Sequence, residues 1–240
     1  MDLRELQLYK LDILRDITKF CDQNDIQYVL AYGTLLGAVR HGGFIPWDDD
    51  VDIAIPWNDY KRFIKMAKKN LPPRYFVQNY RYDPEFPMMY TQIRVNGTTS
   101  MPIKMHKLNM HWGACIDVFP LVGVWESEWG LAIQKRLLVL TNSLLVSDYM
   151  KAVDMKPQGT QRIINYIPRI IRRLCVYVLM GIACCGTEKK QDWFGLENGN
   201  VQSQGKRTEW IERQEWTFEG EKFWIPKAYD AILTKAYGNY

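Results

Sequence analysis

The chain has 240 residues, 47% of them hydrophobic and 24% charged, which suits one large or two small globular domains and excludes a disordered chain. Its 31 basic and 27 acidic residues leave a formal +4, too mild for a dedicated nucleic-acid binder and compatible with anionic substrates or a membrane surface. The five cysteines, at 21, 115, 175, 184 and 185, have neither CxxC nor Cys/His zinc spacing and read as reduced thiols.

The amino terminus, MDLRELQLYKLDILRD, is too charged for the apolar core of a signal peptide, which points to a cytoplasmic protein. Apolar residues at Leu3, Leu6, Leu11, Leu14, Ile17 and Phe20 predict an amphipathic helix ending near residues 23–25. A strand over 26–32 (IQYVLAY) then runs into Gly33 and Thr34, and LLGAVR suits a short helix with Thr34 as its cap. After the acidic run that follows, Asn58 or Asp59 is placed to cap a helix through YKRFIKMAKK, stopped at Leu71-Pro72-Pro73. Strands are expected over 89–95, closed by Asn96-Gly97, and over 114–119, closed by Pro120.

From Trp129 the pattern changes to long apolar stretches that read as a helical pair around a polar segment at 151–160. No stretch reaches the roughly 20 apolar residues of a bilayer span. The longest, 174–185, has twelve. Arg162, Arg169, Arg172 and Arg173 ahead of it suit either a peripheral contact with an anionic membrane or the charged end of a buried helix. The last 32 residues combine strand-like aromatics with a helix between Pro226 and Gly238.

The chemistry concentrates in GTLLGAVRHGGFIPWDDDVDI, residues 33–53. Four aspartates in five positions repel one another unless a cation sits among them. A strand starting near Asp48 would send Asp48, Asp50 and Asp52 to one face, with Asp49, Val51, Ile53 and Ile55 behind. Asp50 and Asp52 can then hold a divalent ion, with Asp117 of CIDVF as a third ligand from another strand. Magnesium suits this oxygen set, with manganese as the alternative. Gly33 permits close approach of a phosphate, while Arg40 and His41 lie in a loop where a cation could pair with a diphosphate.

A solvated acidic turn would account for WDDD and leave the apolar alternation unexplained. An EF-hand fails at Ile53, where glycine is required, and at Asp59, where glutamate is usual. A glycosyltransferase built on DxD is less favoured, since 47 residues precede Asp48, too few for the usual nucleotide-binding half. His106 and His111, in a Met- and Lys-rich connection, read as surface residues.

The run AYGTLLGAVRHGGFIPWDDDVDIAIP closely resembles the signature of the LicD family, which includes bacterial phosphocholine transferases and, more distantly, fukutin and fukutin-related protein. The leading helix, GACIDVFPL and the closing IPKAYDAILTKAYGNY are similar to further family blocks, while 126–204 is not. The resemblance implies an α/β (α+β) nucleotidyltransferase-like mixed sheet with flanking helices and a helical insertion. The expected division is 1–125 as catalytic core, 126–205 as the insertion, and 206–240 packing back on the core.

It further implies that Gly33-Thr34 is the phosphate turn, that Asp50 and Asp52 are the metal pair, and that Asp117 is the third carboxylate. The resemblance also implies a lysine, found in many of the family, at the position of Gln92, which leaves Arg94 as the nearest cation on that strand face. The implied reaction is magnesium-dependent transfer of a phosphorylated alcohol from a CDP-linked donor to a glycan hydroxyl, releasing CMP. Asp117 or Asp48 would take the proton. The rivals are a true nucleotidyltransferase using the same platform and a non-catalytic glycan-binding relative.

Overall fold

The computed structural model describes residues 1–197, 201 and 204–240. Helix α1 (Leu3–Gln23) opens on a capping box, in which Asp2 accepts from the Glu5 amide and Glu5 reaches back to the Asp2 amide. Strand β1 (Val29–Leu30), helix α2 (Tyr32–His41), strand β2 (Asp52–Pro56) and helix α3 (Trp57–Asn70) follow. Next come β3 (Tyr75–Gln78), β4 (Thr91–Val95) and β5 (Cys115–Gly123), then helices α4 (Glu128–Ala152), α5 (Gln161–Ile164) and α6 (Arg169–Ala183). The chain finishes with β6 (Asp192–Gly195), β7 (Gly205–Lys206), α7 (Arg207–Ile211), the hairpin β8 (Arg213–Phe218) and β9 (Glu221–Pro226), and α8 (Tyr229–Tyr237).

The main sheet runs β1-β2-β5-β4-β3, with β2 and β5 parallel and the other pairs antiparallel. It is therefore the mixed α/β architecture expected. β5 is long enough to pair with β4 over its first half and with β6 near its end, so residues 192–195 of the expected insertion join the core sheet. Residues 52–55 of β2 are buried throughout, as befits a strand covered on both faces. Phe20 of α1 meets Phe63 of α3 edge-on. The β8–β9 hairpin returns to the core through Glu219, which accepts from the Phe44 amide and from Arg4, and through Trp216, whose indole donates to the Ala38 carbonyl.

Several local expectations change. The strand at 26–32 shortens to two residues because Tyr32, at φ +46°, already turns the chain into α2. Helix α2 thus starts before Thr34, its cap position is Ala31, and the Thr34 hydroxyl accepts from the Asp52 amide at 2.8 Å. Neither Asn58 nor Asp59 caps α3: Pro56 holds that position, and Asp59 accepts instead from the Gln27 amide and from Arg62. β5 continues through Pro120, whose carbonyl accepts from the Leu196 amide.

The second apolar stretch breaks at Pro168 into α5 and α6, as proline requires. Residues Arg169–Lys189 are long and apolar enough by composition to cross a membrane, longer than the twelve-residue core expected. The three arginines at its start are already engaged. Arg169 pairs with Glu85 and Asp148, Arg172 is buried on Asp148, and Arg173 donates to the carbonyls of Tyr80 and Arg81. They do not form a free basic cluster.

Candidate active site

The site is built where β2, β5 and β4 lie side by side. Asp52 is the register partner of Asp117 across the parallel pair, and Gln92 is the partner of Asp117 across the antiparallel one. Paired positions on neighbouring strands point the same way, so two carboxylates and an amide stand in a row. Gln92 donates from Nε2 to Asp117 Oδ1 at 2.8 Å, and Arg94 donates to the Gln92 oxygen at 2.6 Å, which fixes the amide's orientation. Arg94 is itself buried and also bonds Gln78 and the Gly113 carbonyl. Its hydrogen bonds reach the site through Gln92, and its charge also favours the ionised form of Asp117.

Asp48, Asp49 and Asp50 approach in a loop, not a strand. The chain turns at 45–48, where the Asp48 amide donates to the Ile45 carbonyl, and β2 pairing begins only at Asp52. Helix α1 holds this loop in place. Gln7 donates from Nε2 to the Asp48 carbonyl at 2.8 Å, and one turn later Lys10 places Nζ 3.1 Å from Asp49 and 3.6 Å from Asp50. Asp49 therefore lies on the same cation as Asp50 rather than on the opposite face.

Gln7 and Lys10 were not singled out from the sequence. Their signal was present: they occupy the 3, 7, 10, 14, 17, 21 spacing whose other members are apolar or Cys21. The Lys10 side chain is only 5% exposed. Burial lowers its pKa, but Cys115, Asp49 and Asp50 together outweigh burial and leave it raised.

The first turn of α2 faces the same cluster. A Cβ added to Gly33 would fall 2.9 Å from Asp48 Oδ2 and 4.0 Å from Asp52 Oδ2, so only glycine lets both carboxylates approach this backbone. The amides of a helix's first turn lack intrahelical partners and carry the positive end of its dipole, which favours anions there. Tyr32, strained at positive φ, lays its ring against Phe119, and its hydroxyl donates to Gln204. Arg40 and His41 close the opposite end of this ten-residue helix, seven residues or about 10 Å along the axis from Gly33. The loop expected to bring them to the phosphate is helical, and the structure does not bring them to the carboxylates.

Electrostatically the site is under strain. Burial, then Asp117, Asp50, Asp48 and Glu197, push the Asp52 carboxyl well above its usual range. Burial pushes Asp117 up to about 6, against the bond from Gln92, with Asp50 adding to the rise. Asp50 is raised by loss of hydration and by Asp49 and Asp48, with Lys10 opposing. The Asp50 side chain is nonetheless 70% open to solvent. Two further residues join from the far end of the chain: Glu197, itself raised by burial, and Tyr237 of α8, raised by burial and by Asp52, Glu197 and Asp48.

Among the described residues Lys10 and the buried Arg94 are outnumbered by these carboxyl groups, an imbalance that a divalent cation would correct. The donors are all oxygens, as a hard cation requires. Among the described residues, ligand oxygens of Asp48, Asp49 and Asp50 lie within 4.8 Å of one another. Asp52 and Asp117 stand adjacent on the strands, outside that trio, and it is the chemistry of the donor set, carboxylates crowded around a single lysine, that fits such an ion.

The fold is a mixed α/β sheet with flanking helices, and its site sets paired strand aspartates beside a Gly-Thr helix start. Residues 25–121 match the family described as LicD/FKTN/FKRP, nucleotidyltransferase domain. It is 27% identical to the lipopolysaccharide cholinephosphotransferase LicD of Haemophilus influenzae over 255 residues, covering 100% of this chain and 91% of that protein. It is 47% identical over 60 residues to an uncharacterized protein of Rickettsia typhi, covering 25% of this chain and 19% of that one. It is also 42% identical over 57 residues to human ribitol 5-phosphate transferase FKRP, covering 24% of this chain and 10% of that protein.

Proposed function

We propose that this chain is a LicD-type phosphotransferase that moves a phosphorylated alcohol, phosphocholine or a polyol phosphate, from a CDP-linked donor to a hydroxyl of a cell-surface glycan or its lipid-linked precursor. CMP is released. The observation carrying this reading is the Asp52–Asp117 pair, one buried and one half-buried, beside the open first turn of α2, within the family-matched residues. The relative aligned over the whole chain is named a cholinephosphotransferase, and one aligned over 57 residues a ribitol 5-phosphate transferase.

Asp50, Asp52 and Asp117 are the residues to hold Mg²⁺, or Mn²⁺ in its place. When bound, the ion would neutralise charge on the donor diphosphate. The amides at the start of α2 bind the donor's anionic oxygens, and Gly33 keeps that approach open. Gln92, oriented by Arg94, holds Asp117 ionised against its buried surroundings. Asp48, on the loop that α1 anchors and not engaged by Lys10, takes the proton as the acceptor oxygen bonds to the β-phosphorus and the bond to the CMP oxygen breaks.

A nucleotidyltransferase would use the same platform with attack at the α-phosphate. The test is a panel of CDP-linked donors, including CDP-choline and CDP-ribitol, scored for CMP, set against CTP and ATP scored for diphosphate. CMP from one donor, lost in Asp50→Asn/Asp52→Asn, is expected. Diphosphate release with nucleotide on the acceptor would overturn the reading, and unchanged turnover in the double variant would remove these aspartates from the mechanism.

A further inference from the structure

We propose that the exposed face of α5 and α6 seats on the surface of an anionic lipid bilayer, with α6 lying flat in the interface. The inference stands independently of the reaction.

Helix α6 has its apolar and buried faces arranged unusually for a globular protein. It buries Arg172, Val176, Met180 and Ala183 against the body. Outward it presents Ile170, Leu174, Val178 and Ile182 at four-residue spacing, with Ile170 79% and Leu174 65% exposed. Along 174–182 every exposed residue is uncharged, Tyr177 and Gly181 included. The stripe continues backward into Ile163 and Tyr166, 71% and 89% exposed. A water-facing helix ordinarily shows the reverse pattern, and contiguous apolar surface of this kind marks an interaction site.

The orientation follows from the buried side. The helix proper has 15 residues, about 22 Å against a hydrocarbon core of roughly 30 Å. One end is fixed by buried Arg172 on Asp148, the other by the Gln134 amide donating to the Ala183 carbonyl. A helix pinned at both ends along one side can offer a membrane only its other side, which is the apolar one.

Charge selects the occupant. Residues 129–185 contain eight lysines and arginines against two aspartates, +6 within a chain whose total is +4, so the rest of the protein is slightly acidic. Lys135, Arg136, Lys156 and Arg162 have no carboxylate partner among the described residues. A second copy of the chain would bring like charge to like charge. A negatively charged lipid surface complements a cationic unit with an apolar face and an exposed tyrosine, and each basic residue near it strengthens binding several-fold.

The test is flotation of the full chain with vesicles of phosphatidylcholine alone or with 30% phosphatidylglycerol (about one anionic lipid in three, a typical anionic-leaflet mimic), at low and high salt. Binding to the anionic vesicles is expected to exceed binding to neutral ones by at least about tenfold and to fall with salt. Ile170→Glu/Leu174→Glu, at solvent-exposed positions, should lose binding by a similar factor while keeping its circular dichroism and thermal midpoint. Equal binding to both vesicle types, or binding unchanged in the double variant, overturns the proposal. So does a dimer in light scattering that the same substitutions dissociate, which would assign the face to a second copy.

Discussion

Replacing Asp117 with Asn is expected to stabilise the metal-free protein while removing its activity. Burial, and the Asp50 charge after it, disfavour the ionised carboxyl and push it up to about 6 in the folded chain. Between its ordinary value and about 6, the folded protein retains a proton that the unfolded chain has released. Ionisation therefore costs stability in full above pH 6, and the cost disappears as the pH falls through the unfolded-state value. A rise of about two units corresponds to about 3 kcal/mol. Asn keeps the shape and still accepts from Gln92, so Asp117→Asn should gain up to about 3 kcal/mol at pH 8 and roughly half of that at pH 5. Urea denaturation in EDTA, followed by the fluorescence of the nine tryptophans, measures both. Added Mg²⁺ should stabilise the wild type more than the variant. A variant no more stable than wild type at pH 8, or a difference that does not shrink at pH 5, would refute the electrostatic reasoning.

Three further substitutions probe the supports. Gly33→Ala places a methyl 2.9 Å from Asp48 Oδ2 and should lower turnover by at least about tenfold, while stability holds or rises by up to about 1 kcal/mol, as alanine favours helix. Steady-state kinetics beside a melting curve separates the two effects. Gln92→Leu removes the bond that lowers the Asp117 pKa, so the acid limb of the kcat/KM profile should move to higher pH; an unmoved limb would detach Gln92 from Asp117 in function. Lys10→Met withdraws the cation shared by Asp49 and Asp50 and should cost about 1–3 kcal/mol, less than a fully buried pair because both carboxylates can rehydrate. Its denaturation midpoint in low salt reads this directly.

What the sequence disclosed depended on whether the cause was local. Asp52 and Asp117 were legible because each stands before alternating or apolar strand residues, and a period of two is a local property. The first helix was legible for the same reason. Asp49 was misplaced because alternation was extended backward across a turn, whereas Gln7 already holds the Asp48 carbonyl and no ladder forms there. Lys10 and Gln7 stayed hidden because a polar residue on an apolar stripe acquires meaning only from its partner 38 to 41 residues away. Arg40 and His41 looked close to the phosphate site in sequence, but a continuous helix carries them to its far end. Glu197 and Tyr237 could not be found by spacing at all, since the fold brings them from beyond residue 190.

The most direct measurement of the central claim follows the phosphorus. CDP-choline labelled in its β-phosphate is incubated with the protein, Mg²⁺ and a glycan acceptor. Attack at the β-phosphorus places the label on the acceptor together with choline and leaves unlabelled CMP in solution, the outcome this account expects. Labelled phosphocholine in solution with cytidine nucleotide on the acceptor would contradict it and assign the Asp52–Asp117 site to nucleotidyl transfer.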